Sequence, residues 1–379
     1  MSEQDALLAG LRARFARVAV VHDWLMAPGG SEAILLELLA MFPGAEVFTS
    51  VYDPAPWAAE LGGHRVHASA LNRLPGARRH YPLLLPAMNA AFRSFDLSGF
   101  DLVLSSSHAC AKNVLPPAQA LHVCYCHTPM RYAWDPGFLR GERVEPLRPL
   151  LAPVLAWLRR EDRRGAARVD AFVANSRHVA DRIARFYGRE ASVVHPPVDV
   201  EHFLALEHEP GGYYLALGRV VPYKRVDLAV AACRTLGVPL VVAGDGRALA
   251  DARSGAGADT RFLGRVSDED RDALLRGARA LLFMAEEDFG IVPVEAQAAG
   301  VPVVAFGQGG ALESVVDGTT GVLFAEQTVP SVCAAIDRLA GLELRDDALR
   351  DNARRFGRPR FRVEMAAAIE RARVAREGR

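Results

Sequence analysis

Two glutamates, Glu287 and Glu295, stand eight positions apart in the segment of the sequence that is richest in chemistry. On one helix, a rise of about 1.5 Å per residue would separate them by about 12 Å. Paired carboxyl groups of glycosidases lie closer, at about 5–5.5 Å in retaining enzymes and at most ~9.5 Å in inverting ones. The two carboxylates could instead hold hydroxyl groups at opposite ends of one ligand. The alternative is a solvated acidic run, which suits Glu286 and Asp288 better than Glu295, because the surroundings of Glu295 are apolar.

A second group of charges, Arg219 and Lys224, directly follows a predicted strand, Tyr213–Leu217. Arginine offers a planar fork of N–H donors and lysine a compact positive charge, and together they suit a diphosphate. Taken alone, a surface loop with stray cations explains these residues better. The acidic segment changes that balance, because a helix predicted to begin near Gly290–Ile291 would point unpaired backbone N–H groups at the same anion. Pro293 is compatible with the first turn of that helix.

Two glycine turns give weaker signals of the same kind. The turn with Gly29 and Gly30 follows the first predicted strand and opens a predicted helix, Ala33–Ala40. The segment Gly307–Glu313 follows another predicted strand and could form a backbone nest for an anion. The first turn is not a G-x-G-x-x-G fingerprint, and the sequence has no G-x-x-x-x-G-K-[ST], which disfavours a dinucleotide site and a P-loop. Either turn could also serve only the chain reversal.

Two histidines complete the set of candidate residues. His108 follows the predicted strand Asp101–Ser105, and His127 follows the next one, His122–Cys126. A single histidine is more often structural, but at two neighbouring strand ends a ligand site and a structural role explain the histidines equally well. There is no H-E-x-x-H and no carboxylate cluster of the kind that holds metals, so we expect no metal cofactor.

Short β-branched runs alternate with longer helical stretches, and this pattern predicts two parallel α/β sheets with helical crossovers. The predicted strands are Arg17–His22, Glu46–Thr49, Asp101–Ser105, His122–Cys126, Ala171–Ala174, Ser192–Val194, Tyr213–Leu217, Pro239–Ala243, Arg261–Leu263, Ala280–Met284 and Val301–Ala305. Pro196 and Pro197 interrupt the pattern and predict the boundary between a domain over residues 1–197 and another over 198–360. A predicted amphipathic helix, Phe361–Arg373, could pack on either domain. Ligands of such sheets bind at the carboxyl ends of the strands, so we expect an interdomain cleft there.

Composition sets outer limits on function. The 379 residues carry 45 basic and 45 acidic side chains, and this balance argues against a nucleic-acid binder. The cysteines are odd in number, five, and Cys124 and Cys126 are too close for a C-x-x-C pair, which favours a reducing compartment. The acidic start, Met1–Asp5, does not read as a signal peptide, and no apolar run approaches the roughly 18 residues of a membrane span. We therefore expect a cytoplasmic protein.

With these segments in order, the sequence resembles the retaining, nucleotide-sugar-dependent glycosyltransferases of family 4, which have the GT-B architecture of two facing Rossmann-like domains. The resemblance covers nearly the whole chain. It is carried by Gly218–Lys224, Phe262–Ser267, the Glu287-to-Glu295 spacing (the family's E-x7-E signature) and Gly309–Glu313. In the first half, Asp23-Trp24, Phe48-Thr49 and Cys126–Tyr132 are similar to the bacterial mannosyltransferase branch that builds polysaccharide units.

The resemblance implies an acceptor domain in the first half, a donor domain in the second, and a role for each candidate residue. Arg219 and Lys224 would neutralise the donor diphosphate, Glu295 would hold the ribose, and Glu287 would hold the transferred sugar. His108 and Glu287 are the implied catalytic residues. The other implied positions are backbone contacts at Phe289, Gly290, Ile291 and Val292, a base pocket at Arg265 and Val266, a flexible turn at Gly29 and Gly30, and an acceptor or sugar contact at His127.

The implied reaction is a front-face transfer with retention, from a nucleotide-sugar substrate to a saccharide or lipid-linked acceptor. GDP-mannose as donor follows only from the resemblance to the mannosyltransferase branch. An epimerase or a glycosyl phosphorylase of the same architecture remains an alternative, as does a nucleotide-sugar-binding protein without catalysis.

Peripheral contact with a membrane is a further expectation. Leu74–Leu85 mixes basic and apolar residues, and so does Leu158–Arg160 near Arg163 and Arg164. Either segment could touch an anionic surface that holds a lipid-linked acceptor, although a solvated charged face explains them equally well.

Overall fold

The structure is a computed structural model of the chain and describes residues 3–135 and 148–378. Parallel strands and the helices between them make up most of these residues. Met1 and Ser2, at the start of the sequence, lie outside these residues. The chain divides into two units, one formed by Met1–Pro197 with Pro359–Arg379 and the other by Val198–Arg358. The second unit is therefore continuous in sequence, whereas the first is assembled from both ends of the chain.

The first unit is built on a sheet of seven parallel strands in the order β3-β2-β1-β4-β5-β6-β7. The strands are β1 Val18–His22, β2 Glu46–Thr49, β3 Val66–Ala68, β4 Leu102–Ser107, β5 Leu121–Cys126, β6 Ala171–Ala174 and β7 Ala191–Val193. Strand β1 is buried throughout, as expected for a parallel sheet that is covered on both faces. The order reverses direction between β1 and β4, and such a point leaves a crevice at the carboxyl ends of the strands.

Eight helices of the described residues precede and connect these strands. They are α1 Glu3–Arg14, α2 Gly30–Met41, α3 Ala58–Leu61, α4 Ala77–His80, α5 Leu85–Arg93, α6 Arg131–Trp134, α7 Arg148–Ala166 and α8 Arg177–Tyr187. Helix α2 begins three residues earlier than the sequence predicted, because a run of small and polar residues continues helically from Gly30. Sequence analysis did not predict the short edge strand β3, which has only three residues and no alternating apolar pattern.

The second unit repeats the design with six parallel strands in the order β10-β9-β8-β11-β12-β13. The strands are β8 Tyr213–Leu217, β9 Leu240–Ala243, β10 Thr260–Gly264, β11 Ala278–Phe283, β12 Val303–Phe306 and β13 Gly321–Phe324. The helices are α9 Val200–Leu204, α10 Val226–Leu236, α11 Leu249–Ser254, α12 Asp268–Gly277, α13 Ile291–Ala298, α14 Ala311–Ser314, α15 Val329–Ala340 and α16 Asp346–Arg354. Sequence analysis missed β13, which opens on a glycine and has few residues.

The last helix, α17 Arg358–Glu377, returns to the first unit. Phe361, Met365 and Ile369 are fully buried in the same apolar cluster as Tyr125 of β5. Burying side chains of this size contributes about 1.5–3 kcal/mol each, so α17 is part of the core of the first unit. The sequence left open which domain this helix would join, and the structure places it with the first.

Helices within residues 3–135 and 148–378 are all too short or too polar to cross a bilayer.

Candidate functional site

In the second unit, a lysine and a glutamate form an ion pair beyond the carboxyl ends of β8 and β11. Lys224 Nζ lies 2.6 Å from Glu287 Oε1, and the two side chains keep 17% and 19% of their surface exposed. Lys224 ends a short 3-10 turn after β8, and Glu287 lies in the loop after β11. The neighbouring Arg219 is exposed, and its guanidinium lies 3.4 Å from the Tyr223 hydroxyl. Two cations therefore stand at the edge where ligands of parallel sheets bind.

The backbone beside Lys224 is held by a close contact between neighbouring loops. Gly218 donates its N–H to Ala243 at 2.9 Å, and Gly244 donates to Gly264 at 2.7 Å. A Cβ on Gly244 would lie 1.8 Å from the Gly218 carbonyl oxygen, so this approach requires glycine. The loops after β8, β9 and β10 consequently hold one another in place. The loop after β8 lines a small pocket that includes Lys224, together with residues of β8, β9 and β11.

Glu287 is positioned by the glycine segment after β12. Gly310 donates its N–H to the Glu287 carbonyl oxygen at 2.8 Å, and Gly309 pairs with Glu287 in a parallel bridge. A Cβ on Gly310 would lie 2.1 Å from Phe289 Cα, which is too close for any other residue. The sequence predicted a possible nest for an anion in this segment, and that stays a prediction. The observed contacts show that the segment braces the loop that carries Glu287.

Helix α13 begins immediately after this loop, at Ile291, as the sequence predicted. Its N-cap, Gly290, has φ 82° and offers no side chain to the first N–H groups of the helix. Phe289 is buried against Phe356, with ring centroids 5.4 Å apart, and fixes the entry of the chain into the helix. An uncapped helix start with Lys224 close to its loop favours a negatively charged ligand.

Glu295 lies in the second turn of α13, whereas Glu287 lies before the helix, so the two do not share one helix. Burial raises the pKa of Glu295 to about 7, although Arg271 partly opposes that rise. Its other charged neighbours, Asp272 and Asp268, come from α12. A partly buried carboxyl group of this kind can accept or donate a hydrogen bond to a diol near neutral pH.

The predicted base pocket lies at the end of β10. Val266 is partly buried against the apolar cluster beneath α13, and Arg265 is exposed beside it. Ser267 then caps α12 by accepting the N–H of Asp270 at 3.1 Å. The cap fixes where the strand ends and the helix begins, and it thereby fixes the two residues in between.

In the first unit, the buried carboxylate of Asp23 organises the turn that carries His108. Asp23 accepts four backbone N–H groups, from His108 and Ala109 at 2.7 and 2.9 Å and from Cys110 and Ala111 at 2.6 and 2.7 Å. Burial acts to raise the pKa of Asp23, but nearby His108 and these N–H groups outweigh it, and the pKa is lowered. The carboxylate thus stays ionised and holds the turn after β4.

His108 itself is a partly exposed ring on this turn. Its Nδ1 lies 3.2 Å from Asp23 Oδ2, and the Trp24 ring meets its face edge-on at 4.5 Å. Burial lowers the pKa of His108, although Asp23 partly opposes this. His108 is therefore a neutral, oriented imidazole at neutral pH.

His127 lies beside it and closes a group of three imidazoles. His22, His108 and His127 have ring centroids 6.0–6.5 Å apart. His127 Nε2 lies 2.7 Å from Ser106 Oγ, and His22 Nδ1 lies 3.1 Å from the same oxygen. The structure therefore brings together the two histidines that the sequence singled out.

The glycine turn stands next to this group. Gly29 is the extended N-cap of α2, and Gly30 is the first residue of that helix. Glu32, in the first turn, is buried and lies 3.4 Å from His22 Nε2. Burial acts to raise the pKa of Glu32, but the hydrogen bonds from His22 and Ser31 and the attraction of the nearby imidazoles together outweigh it and lower the pKa to about 2.

Sequence analysis gave no role to Asp23, His22, Ser106 or Glu32. Their signal is a polar residue at the end of an otherwise apolar strand: His22 closes Val18–His22, and three serines precede His108. A buried polar side chain must find a partner, so such endings point to a network. The partners themselves come from distant segments, and only the fold brings them together.

Two family models match the chain in succession. The model described as Glycosyltransferase Family 4 matches residues 28–202, and the model described as Glycosyl transferases group 1 matches residues 200–356. Each model covers less than half of the chain, and together they show that the chain is similar to glycosyltransferases over residues 28–356. The second model spans the loops that carry Arg219, Lys224 and Glu287, and the first spans those that carry His108 and His127.

Curated relatives of the chain include the D-inositol 3-phosphate glycosyltransferases of Mycobacterium bovis and Mycobacterium tuberculosis, which are 32% identical over 198 residues. The match covers 46% of this chain and 41% of the relatives' length. The chain is thus similar to less than half of each of these proteins.

Solved structures confirm the predicted fold of two parallel, Rossmann-like domains of the GT-B type. Anabaena Alr3699/HepE, solved in complex with UDP-glucose, is similar with a TM-score of 0.69 and 17% identity over 93% of this chain and 99% of that one. Sucrose-phosphate synthase from Thermosynechococcus elongatus is similar with a TM-score of 0.67 and 17% identity, over 95% of this chain and 98% of that one. At such identities the likeness concerns the fold alone.

Proposed function

We propose that this glycosyltransferase moves a hexosyl group from a nucleotide-sugar donor to a saccharide or lipid-linked acceptor, with retention at the anomeric carbon and without a metal cofactor. The observation that carries the proposal is the pairing of Lys224 with Glu287 at 2.6 Å beside the uncapped start of α13. This arrangement combines a cation and helix N–H groups for phosphate with a carboxylate for sugar hydroxyls.

The second unit would bind the donor. Arg219 and Lys224 neutralise the diphosphate, together with the backbone between Phe289 and Val292. Glu295 accepts the ribose hydroxyls, and its pKa of about 7 lets it serve as acceptor or donor. Arg265 and Val266 line the pocket for the base of the donor nucleotide. The support for these roles is their common place at the carboxyl ends of the strands of this sheet.

Sugar recognition would involve Glu287 and the histidines of the first unit. Glu287 holds the transferred sugar near its 3-hydroxyl, and His108 and His127 contact sugar hydroxyls. Gly29 and Gly30 form the turn that approaches the diphosphate, since the absence of a Cβ allows close backbone contact. The orientation of His108 by Asp23 at 3.2 Å supports its part in this set.

The chemistry is the departure of the diphosphate and attack by the acceptor hydroxyl on the same face. The bond between the anomeric carbon and the diphosphate oxygen breaks, an oxocarbenium-like sugar forms, and the leaving phosphate takes the acceptor proton. Negative charge grows on the diphosphate, and Arg219, Lys224 and the N–H groups of α13 stabilise it. These groups supply positive charge where a metal ion would otherwise stand.

The first test is a panel of nucleotide sugars with the full chain. Transfer or hydrolysis of GDP-mannose in preference to UDP- and dTDP-sugars is expected, and the anomeric configuration of the product, read by NMR, should equal that of the donor. An inverted product would refute retention, and preference for a UDP-sugar would refute the mannosyl assignment. Loss of activity upon chelation would refute metal independence.

The same panel separates the alternative functions. An epimerase would consume the donor without an acceptor and return a different nucleotide sugar. A phosphorylase would require free phosphate, and a binding protein would be stabilised by the donor without turnover. Glu287→Ala should abolish transfer while its circular dichroism spectrum stays that of the parent; unchanged turnover would refute the role of Glu287.

A peripheral membrane site for a lipid-linked acceptor, at the cytoplasmic face, forms the last part of this proposal. Leu74 and Leu83 are exposed by 47% and 77% of their surface, among the exposed cations Arg78 and Arg79. Apolar residues within a basic surface suit anionic lipid. Salt-sensitive pelleting with vesicles of anionic lipid is expected, and a Leu83→Ser variant should pellet less; no pelleting would refute this contact.

A further inference from the structure

A buried lysine, Lys112, holds the turn that carries His108. Its Nζ donates to the Ala109 carbonyl oxygen at 2.8 Å, and the same ammonium group forms an ion pair with Asp162 of α7. Both side chains of the pair are fully buried. An ammonium group can only donate and a carbonyl oxygen can only accept, so the two groups themselves fix the direction of this hydrogen bond. The lysine thus holds a carbonyl of the turn whose N–H groups Asp23 holds.

The pair is charged although it lies deep in the first unit. Burial acts to lower the pKa of Lys112, but the contacts of its ammonium group, with Asp162 foremost, together outweigh burial and raise the pKa. A buried ion pair often stabilises a protein no more than apolar side chains of the same volume would. Stability alone therefore gives no reason for two charges at this place, whereas a need to hold particular segments together does.

The second oxygen of Asp162 holds the segment that follows His127. Asp162 Oδ2 accepts the indole N–H of Trp134 at 2.7 Å. Trp134 ends α6, and only three residues separate His127 from that helix. A second contact with α7 supports the first, because Arg159 Nε donates to the Ala133 carbonyl oxygen at 2.7 Å. Helix α7 thus fixes α6 by a side chain and by the backbone.

Helix α7 itself is closely packed against the chain that follows the His108 turn. A Cβ on Gly165 would lie 1.8 Å from Asn113 Oδ1, so the helix lies against this residue only because position 165 is a glycine. On the other side, the Tyr187 hydroxyl of α8 donates to Asp162 Oδ2 at 2.7 Å. Asp162 is therefore held from two helices and does not follow the histidine loops passively.

We propose that Lys112 and Asp162 are positioning residues for sugar recognition: the pair holds the turn of His108 and the segment of His127 in a fixed relation. The inference rests on the proposed function, because these histidines are its sugar contacts in the first unit. Each histidine is attached to one end of the pair, the first through a backbone carbonyl and the second through an indole N–H. Breaking the pair should therefore slow transfer and leave the binding of a nucleoside diphosphate to the second unit unchanged.

Helix α7 provides a matched control in the residue before Asp162. Glu161 is also buried, and it forms ion pairs with Arg93 at 2.6 Å and with Arg164 at 2.7 Å. These partners lie on α5 and α7, which carry no residue that is proposed to contact the sugar. Glu161→Gln and Asp162→Asn thus each remove one buried charge from the same helix. Only Asp162→Asn acts on the histidine loops.

The first experiment follows the histidine ring signals by NMR in full-length, histidine-labelled protein, with two signals assigned from His108→Asn and His127→Asn variants. Lys112→Met and Asp162→Asn should each shift both signals, because the pair joins the two loops. Glu161→Gln should leave both in place. Unchanged signals in Lys112→Met and Asp162→Asn, a shift of one histidine alone, or equal shifts in Glu161→Gln would overturn the inference.

A double variant separates positioning from stability. Lys112→Met leaves the Asp162 carboxylate buried without its partner, and the melting temperature should fall by roughly 10 °C. Lys112→Met/Asp162→Asn removes both charges, so most of that fall should be regained. The Ala109 carbonyl still lacks its donor in the double variant, and the two loops are still not joined.

The second experiment measures turnover of GDP-mannose with methyl α-mannoside as acceptor, well below the melting temperature of each variant. Because misplaced contacts slow a reaction strongly, kcat of Lys112→Met/Asp162→Asn should stay about tenfold or more below that of the parent. Its Kd for GDP, measured by calorimetry, should equal that of the parent, and Glu161→Gln should keep the parent kcat. A double variant that regains the parent kcat together with its stability would overturn the inference, and so would an equal loss of kcat in Glu161→Gln.

Failure of the proposed function looks different from failure of this inference. A parent protein that turns over no nucleotide sugar would refute the function, and the NMR experiment would still decide whether the pair holds the two loops. Turnover by the double variant at the parent rate would refute only the inference.

Discussion

Replacing Glu287 with glutamine should tighten the binding of a nucleoside diphosphate while it removes sugar transfer. In the structure the Lys224 ammonium group forms an ion pair with the Glu287 carboxylate, 2.6 Å away. A diphosphate must therefore compete with this carboxylate for the ammonium group and also approach its negative charge. Glutamine keeps the shape of the side chain but removes both penalties, so GDP should bind more tightly.

The size of the effect follows from the exposure of the pair. Fully exposed ion pairs contribute about 0–1 kcal/mol, whereas hydrogen bonds to charged groups in sheltered sites contribute about 1.5–3 kcal/mol. With 17% and 19% of the two side chains exposed, Lys224 and Glu287 stand between these cases. A gain of about 1–2 kcal/mol is expected, which corresponds to roughly 5–30-fold tighter GDP binding.

Isothermal calorimetry with GDP on four proteins tests the reasoning: the parent, Glu287→Gln, Lys224→Met and the double variant. Lys224→Met should weaken GDP binding by about 2 kcal/mol, since one charge-assisted contact is lost. In that background, Glu287→Gln should have less than half of its effect. The control is Glu286→Gln, which removes the same charge at an adjacent exposed position and should change the Kd by less than twofold. Weaker or unchanged GDP binding by Glu287→Gln would refute the competition between carboxylate and diphosphate.

Three further predictions concern stability. The pKa of Glu295 is raised from 4.5 to about 7, so the folded state disfavours its ionisation and the parent protein loses stability as the pH rises from 4.5 to 7. In urea titrations, Glu295→Gln should therefore be as stable as the parent below pH 4.5. Its free energy of unfolding should exceed that of the parent increasingly between pH 4.5 and 7, by at most ~3 kcal/mol. A constant difference across pH would contradict this. Asp23→Ala leaves four buried N–H donors without their acceptor and should lower the free energy of unfolding by about 3 kcal/mol or more; a loss under 1 kcal/mol would contradict the role of Asp23 as anchor. Gly310→Ala forces a Cβ to 2.1 Å from Phe289 Cα and should cost about 1–3 kcal/mol, whereas Gly341→Ala, with its nearest atom at 3.6 Å, should cost little; equal melting temperatures would contradict the fit.

Much of the fold could be predicted because local pattern decides it. Strands such as Tyr213–Leu217 and Ala171–Ala174 are apolar runs between helical stretches, and their observed bounds equal the predicted ones. The start of α13 at Ile291 could be read from a glycine followed by a proline in the first turn. The edge strands Val66–Ala68 and Gly321–Phe324 were not predicted, because short strands gain their stability from pairing with a neighbour rather than from their own sequence.

The candidate site was predictable only in its members, not in its contacts. Spacing drew attention to Glu287 and Lys224 separately, but their ion pair depends on two loops that meet only in the folded sheet. The role of Gly310 as a brace for the Glu287 loop likewise needs a contact between distant segments. Asp23 showed no chemical motif, because its partners are backbone N–H groups that every sequence contains.

The return of α17 to the first unit has a consequence for how the chain is made on the ribosome. Residues Val198–Arg358 form a continuous unit whose whole sheet is synthesised before Phe361, Met365 and Ile369. The synthesis of the first unit therefore begins before that of the second unit but is completed after it. The usual order is different, because the N-terminal domain normally folds ahead of the rest. Until α17 emerges, the apolar surface around Tyr125 remains uncovered, and a chain that is truncated after Arg358 and released from the ribosome should have a folded second unit and an unfinished first one.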